Sequence, residues 1–418
     1  MKKQIAGFLT GLLVCSAFLT GCGKNEATEA VKESVEDENE GTGDTKDADS
    51  KKDTNKKSDK QDRDKRDENS EESETTEASE ENLDKVGVLL PEEGEDINSS
   101  LERTELKTRL EEAGYEAAMY FVGDDSDTQA EQIRELLQDE KLKALVISPV
   151  DPYGLTDVLE EASELSIPVI DYDNLIMDTP NVKYFVTFNM RAIGKEIAKN
   201  IVEKEELDKV REDRGARTIE FLMGSPDDRD ALFFYNGVME KLQEYFDDGT
   251  LVCTSGKLTF DDTAVMRSGR NTAKNDMAEI LSQNYTEGAP DIICTGADDL
   301  ALGAVDALED AGHVSGEDGW PMITGGGCEA EAVTAVIQGK IEDDLLFDNR
   351  VLANDCVTMV DALLKGEKPE ISDYEQYDNG TKIVGTVTSD IQMIDADNYQ
   401  MLVDDGYYEE KEIMPEAT

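Results

Sequence analysis

Two periods alternate along most of this chain. Short apolar runs at 85–91 (KVGVLLP), 143–149 (KALVISP), 167–173 (IPVIDYD), 217–224 (RTIEFLMG), 250–256 (TLVCTSG), 290–296 (PDIICTG) and 321–326 (PMITGG) have the length of buried strands. Between them, apolar residues recur three and four apart, as on one face of a helix: 130–142, 155–166, 193–207, 233–246, 273–283, 300–312 and 330–339. A further helix ends at Gly114 and leads into a second strand. Apolar strands joined by crossover helices predict parallel sheets covered on both faces. About seven such units suit two doubly wound lobes better than one sheet.

Ligands of open α/β sheets bind beyond the carboxyl ends of the strands. In this chain the residues that follow the strands are polar: DYDN at 171–174, GSPDDRD at 224–230, GADD at 296–299 and GGGCE at 325–329. Oriented carboxylates and amides can bind the hydroxyls of a polyol while an aromatic face covers its C–H side, with no proton transfer required. The helix that follows 224–230 predicts Phe233, Phe234 and Val238 as core.

Composition narrows the chemistry. The 418 residues carry a formal charge of -56, which argues against nucleic acid as a partner. The only histidine, His313, falls at a helix end, which removes the usual base of a catalytic triad and the usual ligand of a metal site. No catalytic residue, metal or cofactor is expected. GGGCE lacks the lysine of a phosphate-binding loop and is a tight strand-to-helix turn, and DADNYQ from 395 lacks the glycine and final acid of a calcium loop.

At the amino terminus, Lys2 and Lys3 precede an apolar segment and then LTGC at 19–22. This resembles the lipobox of bacterial lipoproteins, which implies a leader over 1–21 and a diacylglycerol thioether on Cys22. Residues 23–82 contain no Leu, Ile, Met or aromatic residue, so 22–83 is expected to be a disordered acidic tether reaching roughly 40 Å. Cys253, Cys294, Cys328 and Cys356 are widely spaced and are expected as free thiols.

The segments ALVISPVD, IPVIDYDNLI, YFVTFN, GSPDDRDALFFYNGVMEKLQEYFDDGTLV and KGEKPEISDYEQYDNGTKIVGTV resemble the sugar-binding proteins of bacterial ABC importers, in the branch that takes xylose or several monosaccharides. The resemblance runs from about 85 to 408. It implies the type I periplasmic-binding-protein fold: α/β, two Rossmann-like doubly wound lobes joined by a three-strand hinge. The first lobe would take 84–188 and about 349–385, the second 189–348 and about 386–414. Carried over residue by residue, the ligand-binding positions are Asp173, Asn174, Asp228, Arg229, Asp230 and Asp298. Relatives have an arginine at Asn174 and asparagine at Asp230, so carboxylates gain at the expense of cationic and amide contacts. A more basic solute such as an amino sugar, or weaker binding, would each fit that change.

The expected function is capture of a monosaccharide or related polyol by a monomeric, membrane-anchored extracytoplasmic protein that delivers it to an ABC permease. A sugar sensor that signals to a membrane kinase or chemoreceptor without transport is the alternative. A transcriptional regulator of the same fold would need an amino-terminal helix-turn-helix, where this chain has a lipobox and an acidic stretch.

Overall fold

Parallel strands buried on both faces need helices on both faces, and that requirement organises the molecule. The computed structural model describes residues 83–91, 97–123 and 125–414, within the compact unit Thr76–Thr418. The leader, Cys22 and nearly all of the tether lie outside them.

The strands are β1 (Lys85–Leu90), β2 (Glu116–Phe121), β3 (Leu142–Ile147), β4 (Val169–Tyr172), β5 (Val182–Phe188), β6 (Arg217–Leu222), β7 (Leu251–Val252), β8 (Ile292–Thr295), β9 (Met322–Ile323), β10 (Asp343–Leu346), β11 (Thr386–Ser389) and β12 (Gln392–Asp395). The helices are α1 (Ile97–Glu112), α2 (Ser126–Leu136), α3 (Thr156–Glu164), α4 (Met190–Lys204), α5 (Leu207–Glu212), α6 (Arg229–Asp247), α7 (Phe260–Thr263), α8 (Arg270–Asn284), α9 (Asp298–Asp310), α10 (Ala330–Ile337), α11 (Asn349–Leu364), α12 (Gln400–Asp404) and α13 (Glu410–Ile413).

Two parallel sheets result, ordered β11-β5-β4-β3-β1-β2 and β7-β6-β8-β9. A bridge from Thr324 to Asp343 lays β10 alongside the second sheet, and β12 pairs antiparallel with β10. Helices α1 and α11 cover one face of the first sheet, and Leu155, Val158, Leu159 and Ala162 around α3 help cover the other. In the second lobe, α4 and α6 lie on one side and α8, α9 and α10 on the other. The chain passes between the sheets at 189, at 347–348 and at 390–391. Phe188 and Phe347 from the first two passages meet edge to face, with centroids 5.4 Å apart, and continue the core of one lobe into the other.

The lobe boundary expected at 386 falls one strand later. Thr386 to Ser389 pairs in parallel with Phe185 to Phe188, burying Thr386 and Ser389 at the edge of the first sheet. Cys294, Cys328 and Cys356 are buried free thiols, and Cys253 is a half-buried one.

Helices α4 and α6 touch backbone to backbone. A Cβ on Gly194 would lie 2.1 Å from the Phe234 carbonyl oxygen, and one on Gly237 would lie 2.0 Å from that of Arg191. No rotamer change relieves a clash with backbone, so the helices would have to separate. Gly194→Ala or Gly237→Ala is therefore expected to lower stability by about 3 kcal/mol, read from the shift of the urea unfolding midpoint at unchanged slope. A change within a few tenths of a kcal/mol would show that the helices are not held this closely.

Candidate functional site: an acidic, aromatic cavity between the lobes

A cavity of about 410 Å³ opens where strands of the two sheets end. From the first lobe it is lined by Pro152 and Tyr153 after β3, by Asp173, Asn174, Leu175 and Met177 after β4, and by Phe185 and Tyr377. The second lobe supplies Asp227, Asp228, Arg229, Asp230 and Phe233 from the start of α6. Five of the six expected residues, Asp173, Asn174, Asp228, Arg229 and Asp230, are thus brought to one place.

The turn after β4 is shaped by a buried acid. Asp171 accepts the Ile176 backbone N–H at 2.5 Å, while the Asp173 N–H donates to the Val186 carbonyl at 2.8 Å. Asp173 adopts φ 65°, a left-handed conformation tolerated by a short polar side chain in a tight turn. Burial holds the Asp171 carboxyl well above the usual range. The Asn379 amide donates to the carbonyls of Ile176 and Thr179, at 3.2 and 2.8 Å, and ties the turn to the C-terminal segment that carries Tyr377.

On the opposite wall, Asp228 is the N-cap of α6 and accepts the Asp230 N–H at 2.8 Å. Such a cap satisfies one of the orphan donors of the first turn and is worth ~1 kcal/mol. Ser225 fastens the loop from below: its hydroxyl donates to Asp227 at 2.5 Å and accepts the Arg267 N–H at 3.0 Å. Arg229 and Phe233, four residues apart, share the helix face turned to the first lobe. The Arg229 guanidinium lies 5.7 Å from the centre of the Phe233 ring and donates to the Met177 sulfur at 2.9 Å. Phe233 also meets Tyr377 edge-on at 6.3 Å, and Tyr377 meets Phe185 at 5.3 Å. Phe233, expected in the core with Phe234 and Val238, is instead a wall of the cavity. Phe234 and Val238 are buried, on the face toward α4.

Asp298, the sixth expected residue, does not line the cavity. Its carboxylate is taken up by the Gly326 and Glu329 backbone N–H groups, at 3.0 and 2.6 Å, where it shapes the Gly-rich turn between β9 and α10. Buried Asp344 adjoins it, and burial together with the Asp298 charge holds the Asp344 carboxyl well above the usual range. Gly296 and Ala297, which precede Asp298, instead line a smaller chamber of about 80 Å³ beside the cavity. Sequence reasoning missed the aromatic wall. Tyr153 follows a predicted strand closely enough to be found by the strand-end rule, whereas Tyr377 lies in a segment with neither helical nor strand period.

The carboxylates of the cavity crowd one another. Restricted hydration and then the charges of Asp173 and Asp228 push Asp230 up to about 8, with Arg229 opposing. Asp173 opens to cavity water, but the walls on either side limit its hydration, and with the charge of Asp228 this raises it to about 6.

Asp230 keeps its proton to about 8 when folded, against roughly 3.9 in an unfolded chain. Between those values the folded chain binds more protons, so this group lowers stability as pH rises. Asp230→Asn is expected to match the parent near pH ~4 and to exceed it by on the order of 1–2 kcal/mol near pH ~9, after screening by cavity water. Thermal unfolding across pH checks this, and parallel curves for the two proteins would refute the crowding.

Comparison with known proteins places this chain in a family. Residues 86–368 match the family described as a periplasmic binding protein domain. The multiple sugar-binding periplasmic receptor ChvE of Rhizobium radiobacter is 36% identical over 301 residues, which is 72% of this chain and 84% of the relative. The multiple sugar-binding periplasmic protein SbpA of Azospirillum brasilense is 35% identical, over 71% and 82% of the two chains. The crystal structure of an ABC transporter solute binding protein from Clostridium phytofermentans with bound β-D-glucose superimposes with a TM-score of 0.68 at 34% identity, covering 78% of this chain and 99% of that one. These relatives are binding proteins and not enzymes. The chain belongs to the periplasmic-binding-protein family, with the type I fold and in the branch of the multiple-sugar-binding proteins.

Proposed function

We propose that this chain is an extracytoplasmic, lipid-anchored, monomeric solute-binding protein that captures a monosaccharide between its lobes and delivers it to an ABC permease. The observation that carries the reading is the cavity itself. At about 410 Å³ it falls within the range of roughly 300–1,000 Å³ usual for small-molecule sites, and it combines aromatic faces with side chains able to bind hydroxyls. Asp173, Asn174, Asp228, Arg229 and Asp230 are the polar contacts, and Phe233, Tyr377 and Tyr153 cover the C–H faces of the ring. The bound glucose of the Clostridium phytofermentans protein and the names of the ChvE and SbpA relatives support a sugar as the solute. The LTGC sequence before the acidic stretch supports the anchor. That ChvE is described as a receptor supports a second reading, in which loading is reported to a membrane sensor.

Calorimetric titration with glucose, galactose, xylose and their aminated forms is expected to give saturable binding of at least one, and Phe233→Ala to weaken it by about tenfold through loss of an aromatic face. Absence of binding across that panel would refute the reading. Deleting the gene is expected to abolish uptake of the radiolabelled sugar, whereas a pure sensor would leave uptake by the expressed permease intact. Cys22→Ser is expected to remove metabolic labelling by palmitate and release the protein from membranes, and labelling that persisted would place the anchor elsewhere.

A further inference from the structure

The main cavity and the smaller chamber share a wall made by Asp228 and Asp230. Small residues shape the rest of the chamber, among them Gly224, Ser268, Gly296 and Ala297. Its narrowness is built in: a Cβ on Gly224 would lie 2.6 Å from that of Ala231, and one on Gly296 would lie 2.7 Å from the Phe234 ring. At about 80 Å³, against about 410 Å³ for the main cavity, it is the smaller of the two spaces. Asp173 faces the same region from the other lobe, close enough for its charge to act on Asp230.

Charge at this junction is opposed, among the described residues, only by Arg229, with no direct ion pair. Among the described residues, no hydrogen bond or ion pair engages the side chains of Asp173 or Asp230, and Asp228 spends one oxygen on the first turn of α6. Among the described residues, Arg229 is the one cation lining the cavity, and there it makes no salt bridge but is directed at the Met177 sulfur and the Phe233 ring. Several acids elsewhere in this molecule have cationic partners: Asp306 has Arg270 at 2.8 Å, Asp348 has Arg350 at 2.7 Å, and Glu240 has Arg191 and Lys195, each at 2.8 Å. Hydroxyls could occupy the acceptors but would leave the crowding of the three carboxyl groups unrelieved.

We propose that the preferred ligand is an aminated monosaccharide, with its ring in the main cavity between the aromatic faces and its ammonium group at the mouth of the small chamber, among Asp173, Asp228 and Asp230. This rests on the sugar-binding reading above and names the class of sugar. An ammonium donates three hydrogen bonds and supplies a counter-charge, while an anionic sugar is repelled. The upward shifts of Asp173 and Asp230 agree, since a cation beside them favours their ionised forms and binding would release protons.

The test is calorimetry on the purified chain with matched ligands: glucose against glucosamine, galactose against galactosamine, and N-acetylglucosamine, which keeps the nitrogen but removes its charge. At least one amine is expected to bind tenfold or more tightly than its neutral parent, with the advantage lost on N-acetylation and reduced in Asp230→Asn. The comparison among ligands needs no variant, so it stands even if the substitution impairs folding. Neutral parents that bind as tightly as the amines would overturn the inference while leaving the sugar-binding reading intact. Failure of every sugar in the panel would overturn both.

Discussion

The backbone contact between α4 and α6 at Gly194 and Gly237 fixes the part of the molecule on which the cavity depends. Helix α4 begins directly after the first passage between the lobes, and α6 begins with Arg229 in the cavity. Bringing their axes this close sets where the first turn of α6 points. Phe234 turns inward to pack against Gly296, and Phe233 and Arg229, on the adjacent face, are left directed at the first lobe. Bulk at either glycine would therefore act on the cavity as well as on the core, because one rigid helix serves both.

Buried and half-buried acids do two different kinds of work. Asp171 in β4, Asp344 in β10 and Asp298 at the start of α9 accept backbone N–H groups with their carboxyl oxygens. Burial raises all three, so they act mainly as hydrogen-bonding struts rather than as charges. Asp343 is of the same kind: it accepts the Asn200 amide at 2.6 Å and is pushed up to about 7, first by burial. Asp173 and Asp230 differ in that, among the described residues, their side chains have no hydrogen-bond or ion-pair partner. With acids this abundant, the number of donors already spent on each carboxylate is what separates a binding group from a structural one.

That distinction explains what the sequence revealed and what it hid. The two-period pattern located β1, β3, β4, β6 and β8 and the helices between them, because burial on two faces leaves apolar runs that need no other information. Strand β10 escaped the pattern because its sequence, DDLL, opens with two acids, and only the tertiary structure supplies the donors that let them be buried. Asp230 and Asp298 look alike in sequence, each close behind a strand. Asp298 is consumed by the Gly326 and Glu329 N–H groups of a turn almost thirty residues away, a partnership that no local spacing encodes. Phe233 was misplaced for a related reason: a helix that is apolar on two faces can have one on the core and the other on a cavity, and periodicity gives both the same signature.

The aromatic wall belongs to neither lobe alone. Phe185 and Tyr377 come from the first lobe and Phe233 from the second, and Arg229 reaches across to Met177. Each lobe by itself would present only part of this surface. A solute that touches both parts is bound more tightly when the lobes are together than when they are apart, and it favours the closed arrangement by that difference in affinity. Because the three carboxylates also come from both lobes, bringing the lobes together gathers like charges, which resists closure until a ligand supplies hydrogen-bond donors or positive charge. Shape and charge thus act in the same direction: the aromatic faces reward closure around a ring, and the acids penalise closure around nothing.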